Sequence, residues 1–278
     1  MRRVDPKVYT RDYYLSDCTG YTQFKRSWGQ ELEPRVARIV TKIPLQPGSK
    51  VLDIGCGRGE LVFWSLRHGA KLAVGIDYST SAIALANQAL SHLPNFQTRA
   101  NFKTMDAKAL QFQKHSFDAV FLTEVLEHLY PEEQDRIFLE INHVLKPGGF
   151  VFIHTSPARW FNNFTYPYYC YPLSSFIVAI WNLILNKNYP NILHPAHLRT
   201  TSHKIMHVNE PDYLSLRRLF SRHKFSGQIY STNITINKPQ LSWKDNLFNL
   251  LVYLSPLSDY PPFNIIWGHD FLAVLTKQ

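Results

Sequence analysis

A glycine-rich loop directly after an apolar run constrains the fold more than any other feature of the chain. The run covers residues 51–54, and the loop that follows consists of Gly55, Cys56, Gly57, Arg58 and Gly59. Such a pattern predicts a buried strand that turns into a helix, whose N-terminus favours a carboxylate or phosphate. Asp77, which ends a second apolar run, suits the hydroxyls of a ribose. The two features together predict a nucleoside site.

The glycine spacing argues against a dinucleotide. Nicotinamide sites carry G-x-G-x-x-G/A, in which the third small residue stands five places after the first. Here the third glycine, Gly59, stands four places after Gly55, and Glu60 occupies the fifth place. Asp53, two residues before Gly55, would repel a pyrophosphate but attract an ammonium or a sulfonium. The loop therefore favours a nucleoside that carries a positive charge.

The string D-x-G-x-G-x-G at residues 53–59 resembles motif I of the class I S-adenosylmethionine-dependent methyltransferases. Further matches follow in order at Asp77, at Asp106-Ala107 and at residues 116–121, 124–129 and 145–149. The chain resembles the ubiquinone-biosynthesis-like branch of this family over roughly residues 45–156. The resemblance implies an α/β, Rossmann-like, doubly wound sheet of seven strands, mostly parallel with an antiparallel last strand. It also implies methyltransferase activity with S-adenosylmethionine as cofactor, and it leaves the acceptor open.

The resemblance assigns cofactor roles to individual residues. It implies that the loop and the carboxylate before it line the methionine end of the cofactor; these residues are Asp53, Gly55, Cys56, Gly57 and Gly59. Asp77 would bind the ribose hydroxyls and Tyr78 would lie beside the adenine. Asp106 would accept from the adenine amino group with Ala107 next to it, and Thr123 and Glu124 would lie beneath the cofactor. A helix N-cap before residues 107–110 is the alternative for Asp106.

The spacing of Glu124, Glu127 and His128 at i, i+3 and i+4 places them on one face of a helical turn. His128, as general base, and Glu124 are the candidate catalytic residues. The spacing also resembles small-RNA 2′-O-methyltransferases and some quinone O-methyltransferases, where a later histidine completes a metal site; His207 is the candidate here. Because ligand types and spacing alone do not build a site, we expect no metal dependence. His154 is expected to be a core histidine.

Strands and helices alternate from residue 50 onward. Strands are predicted near residues 50–54, 72–76, 101–105, 117–122, 149–155, 227–232 and 270–276. This alternation is typical of a parallel sheet covered by helices on both faces. Residues 1–44 are predicted as an N-terminal helical lid, with one helix over 21–43, and residues 45–278 as the methyltransferase domain.

Two apolar insertions interrupt this domain, at residues 158–205 and 243–267. The first is rich in aromatic residues and contains 173–185, thirteen residues without a charge. That run is too short to cross a bilayer, which takes about 20 residues. Lid or core packing, an apolar acceptor pocket, and a membrane contact remain open as interpretations. We expect the two insertions together to cover the acceptor site.

The net charge of +9 suits nucleic acid, an anionic membrane surface or an acidic substrate. However, no Lys or Arg stands between Trp160 and Leu185, whereas nucleic-acid surfaces combine basic and stacking groups. We therefore favour a small-molecule or lipid-like acceptor, methylated on O, N or C, over RNA, with a non-catalytic binding protein as a distant alternative. Three scattered cysteines and an N-terminus without an apolar stretch predict a cytoplasmic protein, with a peripheral membrane contact left open. The sequence does not indicate an oligomeric state.

Overall fold

The computed structural model of the chain describes residues 3–232 and 241–278. Seven strands form one sheet in the order β3-β2-β1-β4-β5-β7-β6. They are β1 Lys50–Ile54, β2 Leu72–Asp77, β3 Ala100–Thr104, β4 Phe117–Thr123, β5 Leu145–Thr155, β6 Phe225–Thr232 and β7 Asp270–Lys277. Strand β7 runs antiparallel to β5 and β6, and the pairs among the other strands are parallel. The predicted fold class is confirmed.

Helices cover both faces of this sheet. The α-helices of the described residues are α1 Arg11–Leu15, α2 Tyr21–Ser27, α3 Pro34–Ile39, α4 Glu60–Arg67, α5 Thr80–Ser91, α6 Pro131–Val144, α7 Tyr171–Leu185, α8 Thr201–Met206, α9 Tyr213–Arg222, α10 Trp243–Tyr253 and α11 Asn264–Trp267. Side chains alternate between faces along a strand. Val51 and Phe152 accordingly belong to one core cluster, and Leu52 and Ile153 to the other.

The predicted single helix over residues 21–43 is wrong. The segment forms α2, α3 and a 3₁₀ turn at Val40–Lys42. Trp28 and Gly29 both have positive φ, 53° and 80°, which ends α2 because a helix needs negative φ. The next helix starts at Pro34, where a proline is tolerated because the first turn needs no N–H donor.

The first insertion contains a longer helix than the sequence predicts. A π-helical segment, Phe161–Cys170, continues without a break into α7. Together they form a 25-residue apolar helix, Phe161–Leu185, which is long enough to span a bilayer. The prediction of an element too short for that is therefore wrong. The long helix is hard to predict because Pro167 and Pro172 normally indicate a helix break. In the structure Pro167 lies within the wider π-helical turns and Pro172 in the first turn of α7.

The junction between α6 and β5 also differs from the prediction. Residues 145–149 are predicted as a turn, yet β5 begins at Leu145, directly after α6 ends. The pairing of β5 with β4 shifts register between Phe117 and Ala119, opposite this stretch. Gly148 has a φ of +75°, and a Cβ there would meet no atom within 4 Å.

Gly59 closes the glycine loop at the start of α4 under a tight steric constraint. Its φ is +90°, and an added Cβ would lie 2.6 Å from the Phe102 ring. We expect Gly59→Ala to lower the free energy of unfolding by about 2–4 kcal/mol, because left-handed strain adds to overpacking. Gly148→Ala, with a positive φ but open space, should cost only about 1–2 kcal/mol. Urea denaturation of both variants measures the difference, and equal losses would contradict the role of Phe102.

Candidate functional site

A cavity of about 540 Å³ opens at the carboxyl ends of β1, β2 and β4. The strand order reverses between β1 and β4, and open α/β sheets bind ligands at such a point. The predicted cofactor residues that line the cavity are Asp53, Gly55, Cys56, Gly57, Asp77, Tyr78, Asp106, Ala107, Thr123 and Glu124. Gly59 is the exception, since it packs against Phe102 behind the loop. The structure thus brings ten of the eleven positions together.

Backbone hydrogen bonds fix the glycine loop to the end of β2. The N–H groups of Gly55 and Cys56 donate to the Ile76 carbonyl oxygen over 2.8 and 2.9 Å. Gly57 has a φ of +51°, and the nearest atom to a Cβ built there is on the Tyr14 ring, at 3.8 Å. The backbone at Gly57 is therefore accessible from the cavity, as the sequence pattern predicts.

The Asp77 carboxylate lies at the centre of this half of the cavity. Its two oxygens accept from the backbone N–H groups of Gly57, at 3.1 Å, and Ser79, at 2.8 Å. Burial raises the pKa of Asp77 to about 6, although these N–H groups act in the opposite direction. The carboxylate is thus ionised at neutral pH but titrates within an accessible range.

Asp106 follows β3 in a turn. Its carboxylate accepts from the Lys108 backbone N–H at 2.9 Å and pairs with the Lys108 ammonium, which also contacts Glu133. Residues 107–110 do not form a helix, so the alternative of a helix N-cap is wrong. Asp106 and Ala107 instead present a turn to the cavity wall.

The N-terminal segment packs across the cavity, and Arg58 holds it there. The buried Arg58 guanidinium donates to the backbone carbonyls of Tyr14 and Thr19, each at 2.6 Å, and pairs with Glu60. Tyr14 itself lines the cavity. No local pattern indicates this role, because the arginine stands among loop glycines and its partners lie about 40 positions earlier.

The two candidate catalytic residues both face the cavity but have low pKa values. Burial, with a smaller contribution from His207, lowers the pKa of His128 to about 3. Burial would raise the pKa of Glu124, but Arg35 and His154 outweigh it and lower the pKa to about 2. Each is therefore a weak base at neutral pH, since a general base works best with a pKa near the operating pH. Tyr9 Oη lies 2.9 Å from His128 Nδ1 and orients that ring.

A charge network that the sequence did not reveal surrounds Glu124 and joins partly exposed side chains to buried ones. Glu124 has a positive φ of 55° and ion-pairs with His154 and with Arg35 of α3. Arg35 and His154 also contact Asp270 at the start of β7. Burial alone would lower the pKa of His154, but Glu124 and Asp270 raise it to about 9. His154 is thus buried as predicted, but as a charged partner of two carboxylates rather than as an ordinary core histidine.

Three of the four candidate metal ligands converge beside this network. Ligand atoms of Glu127, His128 and His207 all lie within 4.8 Å of one another. Glu127 is fully buried; Thr155 donates to its Oε2 at 2.8 Å, and its Oε1 has no partner. Burial and the Glu124 charge raise the pKa of Glu127, while burial and His203 lower the pKa of His207 to about 4. Two neutral imidazoles beside an unsatisfied carboxyl are donor types that suit a divalent cation, and His128 would have to exchange a hydrogen bond, to Tyr9 or to the Met206 backbone, for the metal.

The first insertion supplies the other wall of the cavity. Asn162, Leu193, Leu198 and His203 line it opposite the glycine loop. Among the residues that the structure describes, none from 243–267 reaches the cavity, because α10 packs on the outside of α7. The expectation that both insertions cover this site is therefore wrong for the second one.

Comparison with known proteins identifies the domain. The family described as "Methyltransferase domain" matches residues 52–153. A ubiquinone biosynthesis O-methyltransferase from Coxiella burnetii (strain Dugway 5J108-111) is 31% identical over 166 residues, which cover 59% of this chain and 65% of that protein. Residues 52–153 therefore form a methyltransferase domain of the class I S-adenosylmethionine-dependent type. A cyclopropane-fatty-acyl-phospholipid synthase from Escherichia coli K12 is 27% identical over 179 residues, which are 62% of this chain but only 43% of that relative.

Solved methyltransferases share the fold over most of the chain. An S-adenosylmethionine-dependent methyltransferase from Mesorhizobium loti aligns with a TM-score of 0.55 and 16% identity, covering 86% of this chain and 95% of that one. A geranyl diphosphate C-methyltransferase from Streptomyces coelicolor, solved with S-adenosylhomocysteine, aligns with a TM-score of 0.52 and 12% identity. The alignment covers 99% of this chain and 89% of that one. At these identities the likeness concerns the fold alone.

S-adenosylmethionine is the cofactor that the sequence motifs and the family match assign to this methyltransferase domain. The residues present fit it on their own chemistry. Asp77 offers carboxylate oxygens at the end of β2, Gly57 offers bare backbone, and Asp53 and Glu124 add acidic groups to the wall that a sulfonium would face.

The raised pKa of Asp77 predicts a pH-dependent cofactor affinity. The ionised carboxylate is the better acceptor for hydroxyl groups, so affinity should fall as pH falls through about 6. If the protonated form binds poorly, the affinity for S-adenosylhomocysteine should drop about tenfold between roughly pH 7.5 and 5. Calorimetry at several pH values tests this, with Asp77→Asn as control. That variant should bind weakly and lose the titration; an unchanged pH profile in it would assign the effect to another group, such as Asp53.

Proposed function

We propose that the chain is a methyltransferase that transfers the methyl group of S-adenosylmethionine to a small or lipid-like acceptor with an apolar part. One observation carries the proposal: a single cavity is lined by the glycine loop on one side and by Leu193 and Leu198 of the apolar insertion on the other. An apolar wall facing a cofactor site suits a hydrocarbon acceptor, since burial of such surface favours binding. Relatives named for quinone biosynthesis and for phospholipid modification are consistent with this class.

RNA is the second candidate, and the cavity favours it less. Four Lys or Arg residues line the cavity, namely Arg3, Arg35, Arg58 and Lys108, and the last three are each paired with a carboxylate. Basic groups that are neutralised within the protein contribute little to phosphate binding. A protein that binds S-adenosylmethionine without catalysis remains the third.

The chemistry requires an acceptor positioned in line with the methyl group and shielded from water. The N-terminal segment supports this shielding, because Arg58 and Tyr9 attach it over the cavity. We propose that His128 and Glu124 position the acceptor rather than act as strong bases, given their low pKa values. We also propose a cytoplasmic location, which agrees with three free cysteines.

We further propose that Glu127, His128 and His207 hold a divalent cation, in contrast to the expectation from sequence. The convergence of their ligand atoms and the unsatisfied Glu127 oxygen support this. When bound, such a cation would supply Lewis acidity that lowers the pKa of an acceptor hydroxyl, which would favour O-methylation. Glu127 would release a proton on binding, since ligands must be deprotonated.

The acceptor class is tested with phenols that carry alkyl chains of increasing length. We expect turnover, measured as S-adenosylhomocysteine release, to improve with chain length. Leu193→Asn should raise KM for the long-chain phenols about tenfold, because apolar contact is lost in the cavity wall. Leu139→Asn, an exposed leucine on α6 outside the cavity, is the control and should leave KM unchanged. Methylation of RNA with a steep salt dependence and no use of alkyl phenols would favour the second candidate.

The metal is tested by thermal unfolding with Mn²⁺ or Zn²⁺ and with a chelator. At 100 times its Kd, a bound cation should stabilise the protein by about 2.7 kcal/mol. His207→Ala should abolish this shift. His203→Ala should preserve it, because His203 stacks on His207 at 4.7 Å but is not in the ligand set. Identical melting curves with metal and with chelator would show that the cluster holds no cation.

A further inference from the structure

The outer face of α7 presents large apolar side chains to solvent. Only 22% of the most apolar stretch of the Phe161–Leu185 helix is buried. The exposed residues Phe176, Ile180, Leu183 and Ile184 follow a spacing of i, i+4, i+7 and i+8, so they share one helix face. Leu183 is 83% exposed and Ile184 71%. Soluble monomers rarely leave such a row uncovered, so the face calls for an occupant.

Helix α10 packs beside α7 and adds a second row. The Trp181 and Phe248 rings lie 6.1 Å apart between the two helices. On α10 the exposed leucines stand at i, i+3 and i+4, again on one face. We refer to the two rows together as the docking surface, which consists of Phe176, Ile180, Leu183, Ile184, Leu247, Leu250 and Leu251.

The charge around the docking surface fits anionic lipid head groups. Residues 158–205 contain four Lys or Arg residues and no Asp or Glu, and two of the four, Arg159 and Arg199, are paired with Asp212 and Glu210 outside this stretch. Lys187 is exposed just after α7, and Lys244 lies in the first turn of α10 with its ammonium 5.8 Å from the ring centre of the exposed Trp243. Apolar helix faces flanked by Lys, Arg and Trp are typical of helices that lie in the interface of an anionic bilayer.

The opposite face of α7 is attached to the domain, which argues against an orientation of the helix across a bilayer. Ser174 and Val178 are buried, and Ser174 Oγ donates to Asn191 Oδ1 at 2.6 Å. Residues packed against the core include Leu173 and Ile177. Insertion across a membrane would remove these contacts and leave the polar groups without partners.

Leu193 connects the docking surface with the cavity. It lies in the segment that follows α7, it is 55% exposed, and it also lines the cavity. Tyr166 Oη donates to the Leu193 carbonyl oxygen at 2.7 Å, which anchors this segment to the π-helical segment. Leu193 therefore places an exposed apolar side chain at the cavity, in the segment that directly follows α7.

We propose that the docking surface binds the face of an anionic lipid bilayer, with α7 and α10 in the plane of the interface, and that apolar acceptors reach the cavity from the membrane past Leu193. The route of the acceptor rests on the proposed function, whereas the docking does not. Apolar burial and attraction of the basic residues to the lipid head groups both contribute to binding.

Vesicle flotation of the full chain tests the docking. The protein should bind phosphatidylcholine vesicles that contain phosphatidylglycerol about tenfold more strongly than vesicles of phosphatidylcholine alone. The double variant Leu183→Glu/Ile184→Glu should lose at least about tenfold in binding to the anionic vesicles. Leu139→Glu, at a leucine that is 53% exposed on α6, is the matched control and should float like the wild type. Calorimetry with S-adenosylhomocysteine checks that each variant is folded.

Absence of flotation with anionic vesicles would overturn the docking proposal. A stable dimer in light scattering that the double variant dissociates would also overturn it, because a second copy would then cover the surface. Methyl transfer to a soluble acceptor by a protein that does not float would refute the docking and leave the proposed function standing. Flotation that depends on Leu183 and Ile184, without methyl transfer to any acceptor tried, would support the docking and count against the proposed function.

Discussion

The site depends on the hydrogen bonds that join the end of β1 to the end of β2. The Ile76 carbonyl accepts from two successive loop N–H groups, and Asp77 accepts from the next one along the loop. These bonds fix the carboxylate and the bare backbone relative to each other. Val125 fixes the loop from the other side, since a Cβ on Gly55 would lie 2.5 Å from it. The cofactor half of the cavity is therefore rigid before any ligand arrives, which lowers the entropic cost of binding.

This half could be predicted from the sequence because its determinants are local. Asp53, the loop and Asp77 lie within 25 positions, and two buried strands carry them to the same sheet edge. Strand periodicity and glycine geometry act over such short stretches, so they predict the strands and the loop. The lining residues and the sheet topology were predicted from the resemblance to the methyltransferase family. Gly59 belongs to the loop as predicted, but the reason for a glycine at this position is the Phe102 ring of β3, which leaves no room for a side chain.

The remainder depended on contacts between residues distant in the chain. Arg35 pairs with Asp270 across 235 positions, and Arg58 binds carbonyls of the N-terminal segment. No local pattern indicates such pairs, because a charged residue on a short helix is expected to be exposed to solvent unless its partner is known. The charged state of His154 follows from the same network. The long helix Phe161–Leu185 was missed for a different reason, since two prolines are stop signals on average but are tolerated at particular positions.

The two walls of the cavity make different kinds of interaction, and the difference affects how specificity for the acceptor would arise. Directional hydrogen bonds and carboxylates form the cofactor wall, and they demand particular residues at particular places. The acceptor wall contains Leu193 and Leu198, whose contacts are non-directional and accept many apolar shapes. The match to the methyltransferase-domain family ends at residue 153, and the insertion begins at 158. Under the proposed function, acceptor specificity therefore lies in the insertion, outside the matched domain, and exchange of this wall would let a common domain serve different acceptors.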